Sequence, residues 1–327
     1  MWNEDALSGN PQKYLLATVP RLVLCCELPK MNTLPTWRSL LYVPVNVQRF
    51  IDRAVRTDAD AVQLDLEDSI APSEKDNARG VVKSAAAYIS ASGKDVIVRI
   101  NRPLGLAVRD IDASICPEVT ALSLPKVESA DHVRLISETI AEAESRAGLI
   151  VGSIRLIVGI ETPRAWLHME EIASADPRIV AMLLGSEDFA SAIGMSPSPE
   201  NLLGPKQSLV IAAASAGILA LGLVGSFANY KDTAAFRAMV ERSRAVGFRG
   251  SSCIHPSQIA ILNEGFSPSK KEVDAARRVV DMFDQARSEG HGALGVDGAM
   301  VDLPVMQRAR ALLALDARVQ AQRGSMI

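Results

Sequence analysis

Two acidic residues stand where this chain could do chemistry. The stretch Leu156-Ile-Val-Gly-Ile-Glu161-Thr-Pro-Arg-Ala-Trp166 begins as an apolar run, reads as a buried strand and ends on a carboxylate. Thr162 has the form of a helix N-cap. Pro163 takes the first helical position, where its missing N–H costs nothing. About one βα repeat further on, Val180-Ala-Met-Leu-Leu-Gly-Ser-Glu-Asp188 is a second apolar run ending in acids. Adjacent parallel strands would bring Glu161 and Asp188 to one rim. Two hard oxygen ligands with no His or Cys nearby suit Mg²⁺, or Mn²⁺ in its place. Such an ion keeps waters and takes its remaining ligands from substrate oxygens. Glu187 competes with Asp188, and the alternation of strand side chains predicts that one of the two points inward. An acid ahead of a helix also suits the helix dipole alone, so each is ambiguous by itself.

Such residues need a frame. From Arg38 onward, apolar runs recur at 39–43, 61–66, 96–100, 121–124, 156–160, 180–184, 218–224 and 252–254, each followed by a helix-like stretch. Eight units over roughly 220 residues predict an α/β fold, a (β/α)8 TIM barrel with a C-terminal helical extension. Most of the runs are continuous rather than alternating, as expected when both faces are covered. A doubly wound sheet would want G-x-G-x-x-G after its first strand, and none is present. In a barrel the chemistry sits at the carboxyl ends of the strands, which is where Glu161 and Asp188 fall.

Other strands end on polar residues too. The second gives Asp65-Leu-Glu67-Asp68-Ser69, the third Arg99-Ile-Asn101, the fourth Pro125-Lys126 and the eighth His255-Pro256. Each has an ordinary reading. Arg99 could be an ion-pair partner, Lys126 could pair with Glu128, and His255 could hydrogen-bond the barrel floor. Together they deliver charge to one rim, where a barrel has no structural need of it. A metal-binding carboxylate pair plus an Arg suits chemistry that builds negative charge on a carbonyl. The metal polarises a 2-oxo acid, and the guanidinium donates to the same oxyanion. That is a site for making or breaking a carbon–carbon bond through an enolate.

The 327 residues are 48 % hydrophobic, enough for one barrel-sized domain plus an appendage. A formal charge of −3 gives no reason to expect nucleic-acid binding. The four Cys form no C-x-x-C pair, which fits a reducing cytoplasm and argues against zinc or a disulfide framework. Residues 209–228 carry no charge over about the length of a membrane span. Their Ala, Gly and Ser content, with Gly217 placed to end a helix, predicts a helix and a strand of a soluble barrel, with no membrane partner. Residues 1–36 read as a loose N-terminal extension, since Pro20 and Arg21 break the apolar run a secretory signal would need. The barrel is expected over 37–265. The tail, 266–327, is too small to fold alone and should pack on the barrel or on a neighbouring subunit. It opens with Ser269-Lys-Lys-Glu272, the form of a capping box, and a helix to about Glu289. A Gly-rich turn over 290–298 follows, then Met300-Val-Asp302-Leu-Pro304 and a last helix to about Gln320.

The motifs Arg38-Ser-Leu-Leu-Tyr-Val-Pro44, Asp65-Leu-Glu-Asp-Ser69, Val98-Arg-Ile-Asn101, Leu124-Pro-Lys-Val-Glu128, Gly159-Ile-Glu-Thr162, Gly185-Ser-Glu-Asp-Phe189, Gly247-Phe-Arg-Gly250, Ile254-His-Pro-Ser-Gln258 and Gly298-Ala-Met-Val-Asp-Leu-Pro304 occur in this order. Together they resemble the citrate lyase β-subunit family of the HpcH/HpaI aldolase superfamily, which includes malyl-CoA and citramalyl-CoA lyases. The likeness spans about Arg38 to Leu312. It implies a TIM barrel that assembles as a homotrimer or hexamer, with Mg²⁺ on Glu161 and Asp188. It implies that Arg99 binds the oxo-acid or enolate oxygens. Asp302 would be the catalytic carboxylate, reaching a neighbouring subunit's site. Arg38 and Lys126 would line the substrate site, and Glu67 and Asp68 would stand behind the metal. The implied activity is cleavage or condensation of a 3-hydroxy-3-carboxyacyl-CoA thioester with glyoxylate or pyruvate. The alternatives are a malyl-CoA thioesterase, a citrate lyase β subunit working on a carrier-protein thioester, and a catalytically silent binding subunit. Two departures leave the acyl group open. Val45 stands where relatives carry Gly, and no acid follows Leu221 before Asp232.

Overall fold

In the computed structural model, which describes residues 34–226, 231–288, 294–296 and 299–325, strand and helix alternate from residue 39 onward. The order is β1 (Ser39–Pro44), α1 (Gln48–Val55), β2 (Ala61–Asp65), α2 (Lys75–Ser90), β3 (Asp95–Arg99), α3 (Leu104–Ser114), β4 (Val119–Leu124) and α4 (Ala130–Arg146). Then come β5 (Arg155–Ile160), α5 (Pro163–Leu167), α6 (Met169–Ala173), β6 (Ile179–Leu184), α7 (Ser186–Ile193), α8 (Pro199–Ser215), β7 (Leu219–Leu221), α9 (Thr233–Val246), β8 (Ser251–Cys253) and α10 (Ile259–Gly265). The tail adds α11 (Lys270–Ser288), β9 (Leu294–Val296), β10 (Ala299–Val301) and α12 (Leu303–Ser325).

The eight strands of the main sheet run in the order β7-β6-β5-β4-β3-β2-β1-β8, each parallel to its neighbours. The open edges meet where Leu221 bridges Gly250, with Gly222 N–H donating to the Gly250 carbonyl at 2.8 Å. This is the TIM-barrel-like closure that the repeats predict.

Two apolar layers hold it. Leu40, Ala61, Ile97, Ala121, Ile157, Ala181 and Leu219 fill the inside, small against large. The opposite strand faces, including Leu41, Val62, Val96, Leu122, Leu156 and Met182, pack against the helices. Both faces are therefore dry, which is why the runs read as continuous.

Helix starts follow local chemistry. Thr162 caps α5 by accepting from Ala165 N at 3.1 Å, and Pro163 opens the helix. Ser198 and Pro199 do the same for α8. Gly217, at φ +69°, ends α8 as expected, and β7 follows. The seventh strand is shorter than the apolar run 218–224 suggests. Gly222 adopts φ +138° and turns the chain toward Gly250, so regular pairing stops at Leu221. Phe227 and Ala228 of the uncharged segment lie outside the described residues. No helix among the described residues is long and apolar enough to cross a membrane.

In the tail, Ser269 and Glu272 form the expected capping box. Ser269 N donates to Glu272 Oε2 at 2.7 Å, and Glu272 N donates to Ser269 Oγ at 3.3 Å. Glu272 also pairs with Arg244 of α9 at 3.0 Å, joining the tail to the barrel's helical layer. Phe283, Val301 and Met306 make a small core between α11, β10 and α12. The antiparallel pairing of β9 with β10 is not foreseen by the sequence, which shows a Gly-rich stretch over 290–298. The residues 1–36 read as an extension lie outside the described residues but for 34–36.

Candidate active site

A cavity of about 690 Å³ opens at the carboxyl ends of the strands. Arg99, Glu161, Glu187 and Asp188 line it on one side, and Leu183, Leu221 and Ile254 give it an apolar wall. Strand register brings the charged groups there. Asp65 and Arg99 are partners across β2 and β3, and Glu161 follows the last residue of β5 directly.

Arg99 is held from several directions. Its Nε donates to Asp65 Oδ1 and its Nη2 to Asp65 Oδ2, both at 2.8 Å. Nη1 lies 2.9 Å from Glu67 Oε2. The guanidinium carbon sits 4.9 Å from the centre of the Tyr42 ring, a cation–π distance. Burial alone would lower its pKa, but the Asp65 hydrogen bonds and surrounding charge raise it well above the usual value. Asp65 is fixed in turn, accepting from Glu67 N at 2.9 Å and Ser69 N at 3.1 Å. Burial works against its ionisation, yet the bonds from Arg99 hold its carboxyl below the usual range. A guanidinium has five N–H donors, so this cradle still leaves donors for substrate oxygens.

Around Lys126 the balance reverses. Its Nζ donates to Glu67 Oε1 at 3.0 Å and lies 4.0 Å from Glu161 Oε2 and 3.8 Å from Asp188 Oδ1. Burial opposes its charge, but Glu67 and then Glu161 raise its pKa. Lys126 holds φ +50°, the left-handed region that side chains enter at a cost of about 1–2 kcal/mol. The one ammonium is shared among three carboxylates. Glu161 shows the deficit. Burial, then the charges of Glu67 and Asp188, push its carboxyl up to about 7.

The Glu161 side chain lies in a slot made by two missing side chains. A Cβ at Gly185 would stand 2.7 Å from Glu161 Cγ, and one at Gly159 would stand 2.9 Å from Glu161 Oε1. No cluster of three or more His, Cys, Asp or Glu among the described residues is arranged to hold an ion. Mg²⁺ does not need one, because it keeps several waters and binds through one or two carboxylates. Glu161 and Asp188 border the main cavity together and also share a shallower opening with Arg102 and Lys126. A divalent cation there would cancel the surplus that raises Glu161. The donor set therefore fits Mg²⁺.

The rim brings together Arg99, Lys126, Glu161, Asp188, Glu67 and Asp68. Glu67 is buried and braced by Lys75, whose Nζ donates to the Glu67 carbonyl at 2.6 Å; Asp68 is exposed on the cavity edge. His255 lines the cavity too, and its Nδ1 accepts from Ser257 N at 3.2 Å.

Arg38 does not join them and is absent from the lining of this cavity. It precedes β1 at the amino end of the barrel. There Nε and Nη2 grip Asp60 at 2.8 and 2.6 Å, and Nη1 donates to Ser267 at 3.0 Å. Alternation does not select between Glu187 and Asp188 either. β6 ends at Leu184, both acids sit in the first turn of α7, and both border the cavity. Asp302 is absent from the lining of this cavity. Its Oδ1 accepts from Val305 N at 3.2 Å, the N-cap of α12. The sequence assigns no individual role to Asp65 and Tyr42, which orient Arg99, or to Gly185, which seats Glu161. Their signals, a second acid at a strand end and a Gly after one, become legible only with the register.

Residues 38–256 match the family described as HpcH/HpaI aldolase/citrate lyase. The chain is 37% identical to the citrate lyase subunit beta of Escherichia coli K12, over 85% of this chain and 93% of that one. It is 33% identical to a (3S)-malyl-CoA thioesterase of Cereibacter sphaeroides, over 88% of this chain and 98% of that one. Among solved structures, CitE from Mycobacterium tuberculosis in complex with magnesium, acetoacetate and coenzyme A superposes with a TM-score of 0.66. That likeness is at 30% identity and covers 85% of this chain and 97% of that one.

Proposed function

The chain belongs to the HpcH/HpaI aldolase/citrate lyase family, and on that premise we propose that it is a Mg²⁺-dependent carbon–carbon lyase acting on a 3-hydroxy-3-carboxyacyl-CoA such as malyl-CoA or citramalyl-CoA. The observation that carries this reading is the carboxylate surplus of Glu67, Glu161 and Asp188 around one lysine, beside an arginine whose orientation is fixed. Related structures crystallised with magnesium hold acetoacetate, pyruvate or oxaloacetate, which supports a small oxo acid as the metal's partner.

Glu161 and Asp188 would hold the metal, which when bound polarises the carbonyl and carboxylate oxygens of the oxo-acid fragment. The free donors of Arg99 would meet the oxygen on which negative charge gathers. Asp65 and Tyr42 keep the guanidinium from turning away. In cleavage, the substrate hydroxyl gives up its proton and the carbon–carbon bond breaks. Glyoxylate or pyruvate separates from a thioester enolate, whose carbon must then receive a proton. Asp302 of a neighbouring subunit is the proposed acid, because a carboxyl group can carry a proton to that carbon, whereas a metal ion and the Arg99 guanidinium do not. The homo-oligomer this requires, trimer or hexamer, belongs to the same proposal. The thioesterase reading stays in view because a relative of that name is 33% identical.

One assay separates the readings. Malyl-CoA and citramalyl-CoA are incubated with the protein and Mg²⁺, and oxo acid and free thiol are measured together. A lyase releases glyoxylate or pyruvate with no free thiol, and Asp302→Asn should slow that release by at least about 10²-fold. Free thiol with malate would make the protein a thioesterase. No turnover of either ester, with or without Mg²⁺, would overturn the CoA-ester lyase reading.

A further inference from the structure

Lys206 is a buried amine that the proposed chemistry does not use. It lies on α8 and is only 2% exposed. Its Nζ bonds Ser186 Oγ at 2.7 Å, the Gly225 carbonyl at 2.9 Å and the Leu223 carbonyl. Among the described residues it forms no ion pair with a carboxylate. Burying a charged or strongly polar head is expensive, and a Leu or Met would fill the space at no such cost. What the amine adds is therefore geometry, three directed bonds from one point.

Those bonds end on two segments that both border the cavity. Ser186 opens α7 two residues ahead of Asp188, and both line the cavity wall. Leu223 and Gly225 belong to the segment after β7, and Ser226 beside them lines the same cavity. Without the amine, two backbone carbonyls and a hydroxyl would lose their common partner. Burial pushes the amine down to about 7. Either protonation state keeps three bonds, since the Ser186 hydroxyl can accept from an ammonium or donate to a neutral amine.

We propose that Lys206 is a positioning residue, which through Ser186 fixes the first turn of α7 and so sets the affinity of the Glu161–Asp188 pair for a divalent cation. The proposal rests on the metal reading given above. It makes α8, a helix behind the cavity wall, part of the site.

The test reads metal binding directly, without turnover. Mn²⁺ affinity is measured by electron paramagnetic resonance on the full-length wild type, Ser186→Ala, Lys206→Met and Asp188→Asn. Ser186→Ala removes one part-buried bond and leaves the amine its two carbonyl partners, so it should keep a Tm close to wild type. Its Mn²⁺ dissociation constant should nevertheless rise about threefold or more, and that of Lys206→Met about tenfold or more. In steady state, the Mg²⁺ concentration for half-maximal rate should rise in both variants while kcat at saturating Mg²⁺ falls less. Wild-type Mn²⁺ affinity in Ser186→Ala overturns the proposal, whether or not Lys206→Met folds. A wild type that binds no Mn²⁺, or an Asp188→Asn variant that binds it normally, overturns the metal reading instead.

Discussion

The two rims of this barrel treat charge in opposite ways. At the amino end several charged side chains have close partners. Arg38 grips Asp60, the Trp37 indole N–H donates to Asp95 at 2.6 Å, and Arg178 holds Glu144 at 2.7 and 2.9 Å. Glu144 also accepts from Gly152 N and Ile154 N, so its oxygens are well used. Burial works against that carboxylate, but Arg178 and these amides hold its pKa below the usual value. At the carboxyl end Glu67, Glu161 and Asp188 share Lys126, and Glu161 is forced upward. Matched charges are fully engaged within the fold. The difference separates charges satisfied within the fold from charges left in surplus.

The contrast predicts that the rims fail differently. Glu161→Gln should leave the fold intact, because it removes a charge from a crowded cluster. It should cut kcat/KM on the cleaved ester on the order of 10³-fold, the several kcal/mol a metal supplies as a Lewis acid. Measuring turnover beside metal-free Tm decides it. A Glu161→Gln enzyme with near-normal turnover would show that the carboxylate surplus at the carboxyl end serves no metal.

Arg178→Met is the mirror experiment. It leaves Glu144 buried without its cation and should cost about 3 kcal/mol of stability. The variant should keep the wild-type KM and, at a temperature where it is folded, the wild-type kcat. Denaturant unfolding gives the first quantity and steady-state kinetics the second. A large kcat loss with little loss of stability would erase the distinction between the rims.

The smallest effect is the most diagnostic of the carboxyl-end rim. The folded pKa of Glu161, about 7, lies above its ordinary value of 4.5. Its protonated form is therefore favoured by folding. That contribution is fully present below about pH 4.5 and is lost as pH rises through about 7. The metal-free wild type should lose stability relative to Glu161→Gln across this window, by a few degrees of Tm. Mg²⁺ should restore it above pH 7, since the carboxylate is the ligating form. A Tm difference that stays flat with pH would mean that Glu161 is ionised throughout.

Much of this was legible in the residues. Each of the eight strand runs overlaps a strand of the barrel. The capping signals at Thr162, Ser269 and Gly217 mark real helix ends, because caps act over a few residues and leave a local signature. Glu161 and Asp188 were found at one rim for a simple reason. Parallel repeats deliver every strand's carboxyl end to the same side.

Other features depend on which strands are neighbours and in what register. Arg38 carries the same charge as Arg99, yet it precedes its strand while Arg99 ends one, so the two reach opposite rims. Asp65 orients Arg99 only because β2 and β3 pair with those residues side by side. Gly185 seats Glu161 because β5 and β6 are adjacent, and no spacing in the chain announces it. Lys206 sits inside a helix whose sequence shows nothing but a lysine; its three partners lie 17 to 20 residues away. The sequence alone determined the repeat, its hydrophobic faces and the acids at the strand ends, since these rest on local periodicity. Only the tertiary structure decided which charges are neutralised and which are left over, because charge balance is set by distance through space and by burial, and neither is written along the chain.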